Sequence, residues 1–249
     1  MGNEFWNKKS AKYPKPFERK NLERALEIVK KISGMGVNFK DADIIDIGCG
    51  TGNYGLPFSR TAKSVLCVDS AAGMLEILAK EILENGIKNA AVLKSDFSEF
   101  PDGKYEKKFD ISFASMTPAV KTAEDVRKME RLSKKWCVFI GWAGKRANKI
   151  SEELLALHGI EHYVPKGFLL VKEILEARKK NFRAEVFSES WPWAGTPEEA
   201  VEEISARVEL DGKLPDKTLI RGFFARKFPD GKVVMTTEAR KGLLVWRPE

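Results

Sequence analysis

The 249-residue chain predicts a doubly wound α/β fold: a mostly parallel sheet, helices on both faces, and a helical insertion late in the chain. Three observations predict it. Short apolar runs alternate with helical periodicity over residues 40–142. Three glycines crowd the end of the first such run, at positions 48, 50 and 52. Residues 191–230 form a segment longer than two neighbouring strands need between them.

Residues 1–20 are polar and aromatic, with Pro14 and Pro16 near the end, and read as an irregular arm or a short helix. In NLERALEIVKKIS, residues 21–33, the apolar positions Leu22, Ala25, Leu26, Val29 and Ile32 recur at helical spacing. Asn21 stands where a cap would, and Gly34 and Gly36 end the pattern. Ala42–Ile47 is a buried strand that breaks at glycines. Asn53–Ser59 opens a helix whose first turn Pro57 limits.

Ser64–Val68 is a second strand, and Ser70 is placed to cap the long helix that Gly86 closes. Ala90–Leu93 and Phe109–Ala114 are the third and fourth strands. Ala123–Ser133 is a helix with a Glu124–Lys128 pair four apart, and Lys135–Trp142 is a fifth strand. Residues 149–180 read as two helices separated near Pro165–Gly167, and Phe182–Ser190 as a strand. Residues 196–228 are helical from a Thr196 cap, and the end reads as two strands joined near Lys241–Gly242. The expected organisation is an arm and core over 1–145, core completion over 146–190, a helical cap over 191–230 and closing strands over 231–249.

Apolar residues make up 43% of the chain, enough for a packed core, so global disorder is excluded. The net charge is +7, but bases and acids are interspersed, as in KKFD and RKMERLSKK. That pattern reads as a solvated surface before it reads as a nucleic-acid face. Cys49, Cys67 and Cys137 form no CxxC pair, and no secretory signal or membrane-length apolar run is present. The expectation is a cytoplasmic protein with no bound metal and no membrane partner.

The strongest motif is Asp46-Ile47-Gly48-Cys49-Gly50-Thr51-Gly52, between a strand and a helix. Glycines at alternate positions let the backbone turn sharply and let a ligand approach without meeting a Cβ. Peptide N–H groups and a helix N-terminus then face that ligand. A nicotinamide dinucleotide site would set its third glycine one residue later, as GxGxxG. The second strand ends in Asp69, 19 residues after Gly50, where a carboxylate accepts hydrogen bonds from a ribose diol. Asp96-Phe97 follows the third strand, and the fourth runs from Phe109-Asp110 to Ser115-Met116-Thr117-Pro118. Asp110 begins its strand, away from the ligand edge, and reads as structural.

These four motifs, in this order over residues 40–142, resemble the class I S-adenosylmethionine-dependent methyltransferases of small-molecule type. The resemblance implies a Rossmann-like, seven-stranded sheet with S-adenosylmethionine as cofactor. It implies that Asp96 meets the adenine amine and that Phe97 covers the ring. It also implies an N-terminal arm closing over the cofactor, with Trp6 and Tyr13 as its aromatic pair. The cofactor residues expected are Tyr13, Asp46, Gly48, Cys49, Gly50, Asn53, Asp69, Ser70, Met74, Asp96, Phe97, Ser115 and Met116. Trp142, Trp191 and Phe223 are expected at the acceptor, and the cap arginines Arg207, Arg221 and Arg226 are candidates for an anionic one.

Methyl transfer from a sulfonium needs alignment and water exclusion more than a catalytic triad, and no catalytic residue is assigned. Several subclasses are disfavoured. SMTP stands where base amino-methylases carry [DNS]PP[YFW]. A C5-methylase needs a cysteine nucleophile near the fourth strand, and the nearest candidates, Cys49 and Cys137, sit elsewhere in the motif order. The exposed cysteines of arsenic methylation and the acidic cluster of a metal-dependent catechol-type enzyme are missing too. His158 and His162, four apart with no third ligand, read as packing or surface residues. The expected acceptor is a small molecule. RNA is the second reading, and a non-catalytic cofactor-binding protein of the same fold is the third.

Overall fold

The computed structural model describes residues 3–11 and 13–248. The elements are α1 (Asn3–Ser10), α2 (Arg19–Gly34), β1 (Asp43–Ile47), α3 (Gly55–Phe58), β2 (Ser64–Asp69), α4 (Ala72–Glu84), β3 (Ala90–Lys94) and β4 (Phe109–Ser115). They continue with α5 (Ala123–Leu132), β5 (Ser133–Ala147), α6 (Lys149–Leu157), α7 (Gly167–Ala177), β6 (Phe182–Gly195), α8 (Pro197–Leu210), α9 (Lys217–Lys227) and β7 (Val233–Trp246). The seven strands form one sheet in the order β3-β2-β1-β4-β5-β7-β6. The pairs β1–β2, β1–β4, β2–β3 and β4–β5 are parallel. The strand order reverses at β1, so the crevice at its carboxyl end is where an open α/β sheet takes a ligand.

Sequence explains which strands lie where. The strand β1 is DIIDI, with its last four residues buried, as expected for a strand covered on both faces. The edge strand β3 has no buried residue. At the other edge, β6 continues past Pro192 to Gly195, because an edge strand has an N–H row that a proline need not fill.

The chain divides into two units. The first comprises Met1–Gly141, Gly167–Glu185 and Gly242–Glu249, and the second Trp142–Lys166 and Val186–Lys241. The first unit holds the parallel strands. Behind β1 and β4, Phe58 stacks on Phe39 at 4.8 Å and meets Phe113 edge-on at 5.0 Å. Each such buried ring contributes about 1.5–3 kcal/mol. Glu130 of α5 is buried yet satisfied, accepting from Arg178 Nη2 at 2.8 Å and Trp246 Nε1 at 3.0 Å. The second unit has its own core, in which Leu154, Val201, Ile204, Val208, Ile220 and Phe224 are buried together. The expected cap at 191–230 lies within this unit, which also takes in 142–166 and the outer part of β7.

Several local expectations are corrected. Asn21 does not cap α2, which starts at Arg19; its amide donates to the Lys15 carbonyl and to Asn53 Oδ1. Ser70 does not cap α4, whose cap position is Ala71; its hydroxyl donates to Asn3 Oδ1 instead. Glu124 pairs with Arg127 and Arg131, and Lys128 turns inward. The two closing strands are one, β7, unbroken at Gly242. A Cβ on Gly242 would lie 2.2 Å from the Phe168 ring, so this glycine makes room for packing and not for a turn. No helix among the described residues is long and apolar enough to cross a membrane.

Candidate active site

The glycine loop leaves β1 at the switch point. The Val68 carbonyl accepts from the N–H groups of Gly48 at 2.8 Å and Cys49 at 3.1 Å, hooking the loop onto the end of β2. Gly48, Gly50 and Gly52 have φ of 65°, 55° and 87°, in the left-handed region that favours glycine. Their surroundings differ. A Cβ on Gly48 would lie 2.0 Å from Thr117 Oγ1, and one on Gly52 would lie 2.4 Å from Leu78. A Cβ on Gly50 would have nothing within 4 Å. Two glycines are therefore required by packing, and the third opens onto free space.

Asp69, at the end of β2, faces that opening. Its Oδ2 accepts from the Gly50 N–H and its Oδ1 from the Ala71 N–H, both at 2.8 Å. An ionised carboxylate offers about four acceptor positions, so two remain. Next to it the Ser95 N–H donates to the Asp69 carbonyl, which brings the Asp96 turn alongside. Asp96 is exposed; its Oδ1 accepts from the Ser98 N–H and hydroxyl, which hold its carboxyl below the usual range. Lys128 steadies the turn by donating to the carbonyls of Phe97 and Ser98 at 2.8 and 3.0 Å.

The end of β4 supplies the third side. Met116 has φ 52°, unusual for a residue with a side chain, and its N–H donates to the Ile140 carbonyl. Ser115 Oγ is buried with no hydrogen-bond partner among the described residues. An orphaned hydroxyl at the carboxyl edge of a parallel sheet is a polar group waiting for one.

The arm docks on the same loop. Thr51, fully buried, donates its hydroxyl to the Pro14 carbonyl at 2.9 Å, and Asn21 reaches Asn53 at 2.8 Å. Asn7 accepts from the Gly73 N–H at 2.9 Å, capping α4 from another helix. Tyr13 is half-buried against Trp6, and burial, then the Asp69 carboxylate, raises its hydroxyl pKa.

Four expected ligand residues turn their side chains into the protein. Asp46 is buried and accepts from the Gly55 N–H at 3.0 Å, holding the start of α3; burial first, then nearby Asp69, lifts its pKa to about 7. Cys49 is buried beside Cys67, and its thiol pKa is pushed up by burial. Met74 and Phe97 are 2% and 3% exposed and belong to the core. Thr51, Thr117 and Asn7 were not singled out from the sequence, because their roles depend on residues distant in the chain.

The expected acceptor residues lie in the second unit. Trp142 and Trp191 are half-buried, with ring centroids 6.5 Å apart. Phe223 is 7% exposed in that unit's core, so it supports the core. His158 is a packing residue: Nδ1 meets the Leu154 carbonyl and Nε2 accepts from the Asp216 N–H. Among the described residues no group of three or more His, Cys, Asp or Glu could hold a metal.

Residues 44–135 match the family described as a methyltransferase domain. The fold is shared with the YcgJ protein of Bacillus subtilis, at TM-score 0.58 and 14% identity over 91% of this chain and 99% of that one. Residues 44–135 thus carry the matched methyltransferase domain, on a fold that solved methyltransferases share. Another solved methyltransferase of this fold is the magnesium protoporphyrin IX methyltransferase of Synechocystis, with S-adenosylhomocysteine bound. Its TM-score is 0.52 and its identity 14%, over 67% of this chain and 76% of that one. A curated relative is the 23S rRNA (uracil(1939)-C(5))-methyltransferase of Pseudomonas savastanoi, 28% identical over 96 residues, 39% of this chain. This chain covers only 21% of that relative's length.

Proposed function

We propose that this protein transfers a methyl group from S-adenosylmethionine to a small-molecule acceptor by direct displacement in an enclosed site. The observation that carries the reading is Gly50: of the three loop glycines it alone borders open space, and Asp69 stands beside it with acceptor positions to spare. Those residues fit an adenosine. Asp69 would take the ribose diol, the free Oδ2 of Asp96 the adenine amine, and Ser115 Oγ would gain the partner it lacks. When bound, S-adenosylmethionine supplies a methyl group already activated on a sulfonium.

What remains for the chain is positioning and exclusion of water. The Gly48–Gly52 backbone and the raised Met116 turn are rigidly packed against one another through Thr117. The arm, tied by Thr51–Pro14 and Asn7–Gly73, would shield a bound cofactor from solvent. Tyr13, packed against Trp6 in the arm, would close the ribose side. Trp142 and Trp191 are the acceptor candidates of the second unit.

An RNA acceptor is the second reading, favoured by the partial likeness to the rRNA enzyme and by the net charge of +7. Its thiol chemistry finds little support. All three cysteines are buried, and burial pushes up the thiol of Cys49 and lifts Cys137 to about 12, so neither of these two offers a ready thiolate. The test has two stages. Calorimetry with S-adenosylhomocysteine and with NAD should show binding of the first alone. Labelled S-adenosylmethionine incubated with cell extract should then label the small-molecule fraction. Label in RNA alone would replace the acceptor class, and cofactor binding without any transfer would favour a non-catalytic role.

A further inference from the structure

We infer that Lys128 is a positioning residue for the cofactor's base: reaching from α5, it holds the 96–98 turn so that Asp96 selects a purine with a 6-amino group over one with a 6-oxo group. The inference deepens the adenine assignment made above and rests on it.

A lysine on a helix ordinarily keeps its charge in water. Lys128 does not. It is 8% exposed, and its Nζ donates to the Phe97 carbonyl at 2.8 Å and to the Ser98 carbonyl at 3.0 Å. The same Nζ lies 5.3 Å from the centre of the Phe97 ring. An ammonium withdrawn from water must be hydrogen-bonded, and it holds a carbonyl more strongly than a neutral donor does. Its root is fixed as well. Thr122 and Asp125 close a capping box at the start of α5: Thr122 Oγ1 accepts from the Asp125 N–H at 3.1 Å, and Asp125 Oδ2 from the Thr122 N–H at 2.9 Å. Three residues beyond Lys128, on the same side of the helix, Arg131 Nε donates to Asp102 Oδ2 at 2.7 Å. One face of α5 thus grips the segment 97–102 at both ends.

The gripped segment orients Asp96. Asp96 Oδ1 accepts from the Ser98 N–H at 2.9 Å and the Ser98 hydroxyl at 2.7 Å, while Oδ2 has no hydrogen bond among the described residues. The Asp96 carbonyl accepts from the Glu99 N–H at 3.1 Å, so the turn closes on itself. Ser98 is the link: Lys128 binds its carbonyl, and its N–H and hydroxyl aim the carboxylate. The Ser98 bonds first, then the charges of Lys121 and Lys128, hold the Asp96 carboxyl below its usual range. An ionised carboxylate only accepts, so its free oxygen pairs with a 6-amino group and repels a 6-oxo group.

Isothermal titration of the full chain compares S-adenosylhomocysteine with S-inosylhomocysteine, which carries a 6-oxo group in place of the 6-amino group. The parent should bind the first at least about tenfold tighter, because a site built on a donated hydrogen bond rejects an analogue without the donor. Lys128→Met removes both bonds to the turn and should bring that ratio to about threefold or less, chiefly by weakening S-adenosylhomocysteine. Lys128→Gln keeps a neutral donor, and its ratio should fall between the two. Thermal melts establish which variants fold. A purely structural lysine would weaken both ligands alike and leave the ratio where it was. A parent that binds both ligands alike, or neither, removes the adenine assignment itself. A parent that discriminates, with every folded variant keeping its ratio, overturns the role of Lys128 alone, as does the failure of both variants to fold.

Discussion

Asp69 Oδ2 accepts the Gly50 N–H at 2.8 Å, so the carboxylate at the end of β2 fixes the one loop glycine that borders open space. The same carboxylate starts α4 through the Ala71 N–H. One side chain thereby sets the loop, the helix and the acceptor positions between them.

Replacing it tests that relationship. Asp69→Ala should weaken S-adenosylhomocysteine binding at least about tenfold, equivalent to about 1.4 kcal/mol. It should also cost about 1–3 kcal/mol of stability, because two amides lose their acceptor. Calorimetry and urea melts read the two separately. Unchanged affinity would remove the ribose assignment.

The three glycines should separate by substitution. Gly48→Ala meets Thr117 at 2.0 Å and a left-handed φ of 65°, so a loss of about 3 kcal/mol is expected. Gly50→Ala meets only the backbone penalty, about 1–2 kcal/mol, yet should abolish measurable cofactor binding. A Gly50→Ala variant that binds normally would mean that the open space beside the loop is not the ligand's.

Asp46 should make stability depend on pH. Its folded-state pKa of about 7 lies above the ordinary 3.8, so the native state holds the proton more tightly. Stability should therefore be greatest at low pH within this window and fall as pH rises from about 4 to 7, by an amount on the order of a few kcal/mol. Asp46→Asn keeps an acceptor for the Gly55 N–H and removes the titration. Urea melts at pH 5 and pH 8 should differ less for the variant than for the parent.

The arm is expected to open when its cross-cap is removed. Asn7→Ala leaves the Gly73 N–H of α4 without its acceptor, at a cost of about 1 kcal/mol. Limited proteolysis should cut near residues 10–20 faster in this variant, and bound S-adenosylhomocysteine should slow that cleavage. Equal rates in both proteins would detach the arm from the site.

Much of the first unit was determined by residues near one another in the chain. The buried run 43–47, the glycine spacing and the acid closing the second strand dictate strand, turn and helix locally, because strand periodicity and left-handed φ are properties of a few consecutive residues. Tertiary structure alone decided which glycine faces a ligand, since that depends on Thr117 and Leu78, distant in sequence. It likewise turned Asp46, Cys49, Met74 and Phe97 inward, drew Lys128 from its expected helix partner to the Phe97 carbonyl, and carried β7 straight through Gly242 over Phe168. Such choices follow from packing and from satisfying buried polar groups, and these are settled between segments that no local pattern brings together.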